Sequence, residues 1–201
     1  MKSPEPGASA ESQEDAEDIR LMQLAGRGDV AAFERLVQRH QALVIGTIGR
    51  MLGNSLDVED LAQQVFIRVW KSAGRYVARA KFTTWLLTIT RNLVFNEIRR
   101  RKRHNALPLQ MDEEGDERPI SDEQTREPDA ALLERELDEA IRAAIANLPE
   151  TQRMAVVLRR YEQLSYEEIA AVLNQTVPAV KSLLFRARTE LRSRLSKYLE
   201  R

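Results

Sequence analysis

Residues 105–130 place Pro108, Gly115, Pro119 and Pro128 among a run of acids, and this stretch limits what the whole chain can fold into. Proline locks its own φ and lacks a backbone donor, so neither a helix interior nor a central strand accommodates it at this density. The 201 residues are therefore read as two small folding units on a tether. On both sides of the tether, apolar residues recur at helical spacing. Phe33, Leu36, Val37, His40, Leu43, Val44 and Ile48 mark one long helix, and Val58, Leu61, Ala62, Val65, Phe66 and Val69 mark another over roughly 58–72. Helices are expected over 19–26 and 81–103 as well, and beyond the tether over about 130–147, 150–162, 165–173 and 178–198. Asn147-Leu148-Pro149 separates the first two of these. Aromatic residues make up only 5% of the chain and charged ones 31%, which favours amphipathic helices over a β-sandwich. The expected fold is all-α. A disordered acidic tail (1–18) precedes a helical domain (19–104), a flexible acidic linker (105–129) and a second helical domain (130–201).

Several function classes find no support. There is no cysteine, no glycine-rich phosphate loop and no HExxH, and the two histidines, His40 and His104, fall in different elements. His40 lies on the inward face of its helix and reads as a packed core residue. No catalytic residue, metal site or cofactor is expected, and the chain is not read as an enzyme. The N-terminus lacks the apolar segment of a signal peptide, and the run "ALVIGTIG" is too short to cross a bilayer. A soluble, cytoplasmic protein with no membrane insertion is expected.

The net charge of zero hides a sorted distribution. Residues 91–104 carry six Arg/Lys against one Glu, residues 105–140 thirteen Asp/Glu against three Arg, and residues 174–201 seven Arg/Lys against two Glu. A uniformly solvated surface does not sort its charges in this way. On the helix over 81–103, Phe82, Leu86, Ile89 and Leu93 form an apolar face. A separate stripe holds Trp85, Asn92, Asn96, Arg99 and Arg103. An indole stacks on a base, amides pair with base edges and guanidiniums neutralise phosphates, so the stripe suits a nucleic-acid strand. The bland alternative makes Trp85 core and the arginines a solvated helix end. The preceding loop "KSAGRYVARAK" favours the first reading, because it brings four cations and Tyr76 without an acid. Such a loop can hold an unstacked base.

"SYEEIAAVLNQTVPAVKSLLFRAR" has helix-turn-helix spacing. Ser165 and Glu168 form a capping box, "NQTV" is the turn, and Pro178 suits a first helical turn. Lys181, Ser182, Phe185 and Arg188 are expected to point outward with Arg186 and Arg192 beside them, as a recognition helix requires. On the helix over 58–72, Asp60, Gln63, Gln64, Ile67 and Lys71 form an outward arc with Ile67 as its apolar centre. That arc is either a partner surface with a polar rim or a chance exposed isoleucine.

Taken in order, "DVEDLAQQVFIRVW", "FTTWLLTITRN" and "LPETQRMAVVLRRYEQLSYEEIAAVLNQTVPAVKSLLFRARTEL" resemble the extracytoplasmic-function sigma factors of bacterial RNA polymerase, in the sigma-70 superfamily. The resemblance implies region 2 over 19–104 and region 4 over 130–201. It implies core RNA polymerase and promoter DNA as partners, with an anti-sigma factor as a further one. Asp60, Gln63, Gln64 and Ile67 would meet the polymerase. Tyr76, Trp85, Asn92, Asn96, Arg99 and Arg103 would meet minus-ten DNA, and Lys181, Ser182, Phe185 and Arg186 the minus-thirty-five element. The acidic linker would thread toward the RNA exit channel. Three positions depart from the family's pattern: Gln64 stands where an acid is usual, "VARA" replaces a glycine-acid pair, and Leu183 replaces an arginine. A helix-turn-helix regulator acting alone is the rival reading; it accounts for the second domain but not for the Trp85–Asn92 stripe.

Overall fold

The computed structural model describes residues 6–53, 57–106 and 128–199, and every regular element among them is helical. The linker residues Pro108, Gly115 and Pro119 lie outside the described residues, whereas Pro128 and Asp129, expected in the linker, belong to the first turn of the helix that follows it. The first domain consists of α1 (Pro6–Ala25), α2 (Val30–Leu52), α3 (Val58–Ser72), a 3-10 turn (Ala73–Arg75) and α4 (Phe82–Ala106). The second consists of α5 (Pro128–Ala146), α6 (Glu150–Arg160), α7 (Tyr166–Leu173), α8 (Val177–Arg194) and a last turn, α9 (Ser196–Leu199).

One expectation is corrected at the N-terminus. Residues 6–18 of the expected disordered tail are helical and continue into α1. Composition alone hid this, because Asp15 and Asp18 find their partners in distant elements. Asp18 is 2% exposed and accepts from Arg39 Nε at 2.7 Å, while His40 Nε2 lies 2.8 Å from its other oxygen. Burying a carboxylate is costly unless such partners meet it. His40 is a buried core residue, as its helical position implied.

Local signals place the other boundaries. Asp29 caps α2 by accepting from Ala32 N at 3.0 Å, and Gly28 supplies the positive φ of 92° before it. Gly26 allows the end of α1 to approach the 3-10 turn, since a Cβ there would stand 2.7 Å from the Ala73 carbonyl oxygen. Asp57 precedes α3 but makes no side-chain cap; its carboxylate accepts from Arg101 Nη2 at 2.7 Å instead. The capping box of Ser165 and Glu168 is formed, Asn174 ends α7 in the left-handed region, and Thr176 caps α8.

In the first domain α2 packs between α1, α3 and α4 around Leu36, Val44, Ile48, Val65, Phe82 and Leu86, all fully buried. In the second, α8 packs on α5, α6 and α7 around Met154, Leu158, Ile169, Val172 and Val180. The two domains touch: α7 lies against α4, and α6 against α2. Glu162 accepts from Thr47 Oγ1 and Arg50 Nη1, both at 3.3 Å, and Arg153 Nη1 donates to the Met51 carbonyl at 2.7 Å. Lys81 pairs with Glu168 at 3.0 Å, Lys102 with Glu150, and Arg91 Nη1 donates to the Leu173 carbonyl at 3.4 Å.

Candidate nucleic-acid and partner interfaces

The five-residue cationic end of α4 divides in the structure. Glu97 is buried and accepts from Arg100 Nε and Nη2 at 2.7 and 2.8 Å, and from Arg101 Nε at 2.8 Å. Arg101 also reaches Asp57, and Lys102 reaches Glu150. Arg100, Arg101 and Lys102 are thereby engaged within the protein. Arg99 and Arg103 remain exposed and form no carboxylate pair among the described residues. Arg99 instead donates to Asn96 Oδ1 at 2.7 Å and to the Phe95 carbonyl at 3.2 Å, which stretches its guanidinium along the exposed helix face. Asn92 is exposed on the same side.

Tyr76 and Trp85 occupy a different setting from Asn92. They are half-buried and meet edge to face, with ring centroids 4.9 Å apart. Phe82, fully buried, lies 6.2 Å from Tyr76, 5.8 Å from Trp85 and 5.1 Å from His40. The Tyr76 hydroxyl is buried with no hydrogen-bond partner among the described residues. Burial raises its pKa, and the nearby Asp15 and Asp18 carboxylates raise it further. Trp85 is thus partly core, as the bland alternative held, and also one edge of a surface aromatic pair. Between the end of α3 and α4 the structure adds a small recess of about 220 Å³ lined by Arg68, Lys71, Ser72, Ile89 and Asn92. Arg68 was not singled out from sequence, and Lys71 was read only as part of the outward arc of α3 and the basic loop, because both join Asn92 only when α3 and α4 pack.

On α3, Asp60, Gln63, Gln64 and Ile67 are all exposed. Ile67 is 50% exposed and belongs to a larger apolar surface. A groove of about 650 Å³ runs between α2 and α3, lined by Val30, Phe33, Val37, Ile45, Phe66, Ile67 and Trp70 with Gln63 and Glu59 at its polar margin. Asp60 and Gln64 are outside the lining. Trp70 was missed from sequence, although it stands three residues after Ile67 on the same helical face; its ring packs 4.9 Å from Phe33. A contiguous apolar groove with a polar edge has the anatomy of a protein-docking surface.

On α8, Lys181, Ser182, Phe185, Arg186, Arg188 and Arg192 are exposed, while Val180 and Ala187 are fully buried. Phe185 is 70% exposed. Lys181 Nζ sits 5.7 Å from the centre of the Tyr166 ring, so α7 steadies the first turn of the exposed face.

Residues 36–104 match the family model Sigma-70 region 2, and residues 138–191 match Sigma-70, region 4. The chain is 33% identical over 174 residues to the RNA polymerase sigma-H factor of Pseudomonas aeruginosa, covering 86% of this chain and 90% of that one. It is 31% identical over 186 residues to the ECF RNA polymerase sigma-E factor of Escherichia coli, with coverage of 92% and 97%. Among solved structures, CnrH in complex with the cytosolic domain of CnrY has a TM-score of 0.63 at 25% identity, covering 90% of this chain and 98% of that chain. The sigma factor RpoE bound to the anti-sigma factor NepR from Bartonella quintana has the same TM-score at 22% identity, covering 83% and 98%, and supports the fold. A helix-turn-helix regulator acting alone does not account for the region 2 match. Two sigma-70 regions in order, and relatives that span nearly the whole chain, make this protein a member of the extracytoplasmic-function group of sigma-70 RNA polymerase factors.

Proposed function

We propose that this sigma factor docks on core RNA polymerase through the α2–α3 groove, opens minus-ten DNA along α4 and reads the minus-thirty-five element with α8. The groove is the observation that carries this reading. A DNA-binding protein working alone has no use for exposed Ile67 and Trp70 beside Phe33, whereas a polymerase subunit needs such a seat. Gln63 and Ile67 line the seat, and exposed Asp60 and Gln64 extend its polar surroundings on α3. Along α4, Arg99 and Arg103 hold phosphates, Asn92 and Asn96 meet base edges, and the Tyr76–Trp85 pair receives the opening strand. Along α8, Lys181, Ser182 and Arg186 face the major groove, with Phe185 placed for a thymine methyl. The protein works in the cytoplasm, where polymerase and chromosome are. An anti-sigma factor holds the Bartonella quintana relative. A partner of that kind is proposed here too, competing for the same groove.

The docked domains bear on this mechanism. Elements centred about 25 base pairs apart lie roughly 85 Å apart along B-form DNA. Helices in contact have axes about 8–10 Å apart, so α8, which touches α7, is only about 20 Å from α4. Reading both elements at once therefore requires the domains to separate along the linker.

The test begins with the purified chain and core polymerase on a randomised promoter library, which yields its promoter. Ile67→Glu places a charge in the groove and should weaken core binding at least tenfold, read by competition against a labelled sigma factor. Unchanged binding for both Ile67→Glu and Asp60→Arg would make this face merely solvated.

A further inference from the structure

Helix α4 begins without a cap of its own. Lys81 precedes it and has no acceptor side chain, and the first turn contains no acid. The first backbone donor is satisfied from 67 residues away: Phe82 N donates to Asp15 Oδ1 at 2.8 Å. The same residue is held a second time through its ring. Asp18 fixes His40 at 2.8 Å, and the His40 ring packs on Phe82. Phe82 in turn contacts both Tyr76 and Trp85. Two carboxylates one helical turn apart on α1 thus converge on the residue that supports the aromatic pair. Neither contact belongs to the polymerase groove or to the interface between the domains.

We propose that α1 braces the strand-opening helix, with Asp15 as a positioning residue that fixes the first turn of α4 and, through Phe82, the Tyr76–Trp85 pair. The inference rests on the reading of α4 as the strand-opening element. A captured base recovers its unstacking cost only if the groups that receive it are already in place. A frayed first turn would let Phe82 shift and would carry Trp85 with it. Asp15 itself touches no DNA.

The experiment uses the full chain with core polymerase on the promoter selected above, comparing Asp15→Ala with Asp15→Asn. Asparagine keeps an acceptor oxygen for Phe82 N–H and removes only the charge. Losing a helix cap is expected to slow opening roughly three- to tenfold for Asp15→Ala, read as permanganate reactivity of unpaired thymines. Core binding should be unchanged, a premelted bubble should restore the signal, and Asp15→Asn should behave like the parent. Amide exchange at Phe82 should accelerate in Asp15→Ala alone. An equal defect in Asp15→Asn would assign the effect to charge and overturn the brace. Loss of core binding together with opening would make α1 a general support of the domain and overturn it too. If Trp85→Ala fails to open duplex DNA while Asp15→Ala opens it normally, the brace is wrong and the opening reading stands. If Trp85→Ala and Asn92→Ala both open it normally, the opening reading falls and takes the brace with it.

Discussion

Glu97 engages two of the five cations at the end of α4, Arg100 and Arg101, within the protein. The hydrogen bond from Arg100 holds its carboxyl down from 4.5 to about 2, with Arg101 adding to this against the opposing effect of burial. A folded-state pKa below the unfolded one means that the stabilisation is present above about pH 4.5 and is lost as pH falls toward 2. Glu97→Gln should therefore lower the thermal midpoint at pH 6 and have progressively less effect as pH falls toward 2. Parallel melting curves for the two proteins across that range would disprove the linkage. The commitment of Arg100 and Arg101 was readable in outline, since they stand three and four residues after Glu97. That Asp57 would take the second arm of Arg101 was not readable, because 44 residues separate them.

At the scale of an element, α8 shows how far a helical pattern reaches. Its exposed residues Lys181, Ser182, Phe185 and Arg186 and its buried Val180 and Ala187 follow from the period alone. Lys181 stands at the start of this face with its Nζ 5.7 Å from the centre of the Tyr166 ring. Lys181→Ala should cost roughly 1–3 kcal/mol of promoter affinity if it contacts a base, and the loss should vanish on promoters altered at that base. Filter binding on single-substitution promoters measures this. A uniform loss across all of them, with a shallower salt dependence, would place Lys181 on phosphate alone. Helix α4 follows its period less simply. Trp85 falls on the predicted stripe with Asn92, yet packing against Phe82 and Tyr76 makes it half core.

In the whole molecule the two domains meet in a closed form, through one apolar cluster that draws on both and through polar pairs beside it. Exposed or half-exposed pairs such as Arg50–Glu162 and Lys81–Glu168 contribute roughly 0–1 kcal/mol each. Against them, Arg91 is half-buried at the domain contact, its buried Nε has no hydrogen-bond partner among the described residues, and burial lowers its pKa. A buried donor without a partner costs about 1–3 kcal/mol. The proposed reading of two promoter elements at once requires polymerase and promoter to pull the domains apart. The chain contains no cysteine, so single cysteines introduced at exposed Arg35 on α2 and Glu167 on α7 can carry a fluorescence donor and acceptor. Energy transfer should be high in the free protein and fall when core polymerase and promoter are added. Constant transfer throughout would mean that the closed form is the one that binds.

By itself, the sequence determined what depends on near neighbours along the chain. Helical periods, the capping box at Ser165 and the left-handed stop at Asn174 involve residues within a few positions of one another. So does the sorting of charge into two basic segments around an acidic one. The two domains and the exposed faces of α3 and α8 follow from these. Tertiary structure decided what depends on residues brought together from far apart. Asp15 reaching Phe82, Asp18 reaching His40, Trp70 joining Phe33 at the groove, and Arg91 meeting the end of α7 have no local signature. A carboxylate in an acidic N-terminal stretch looks like solvent-facing charge until the helix it caps is folded against it, and the long-range contact alone makes it structural.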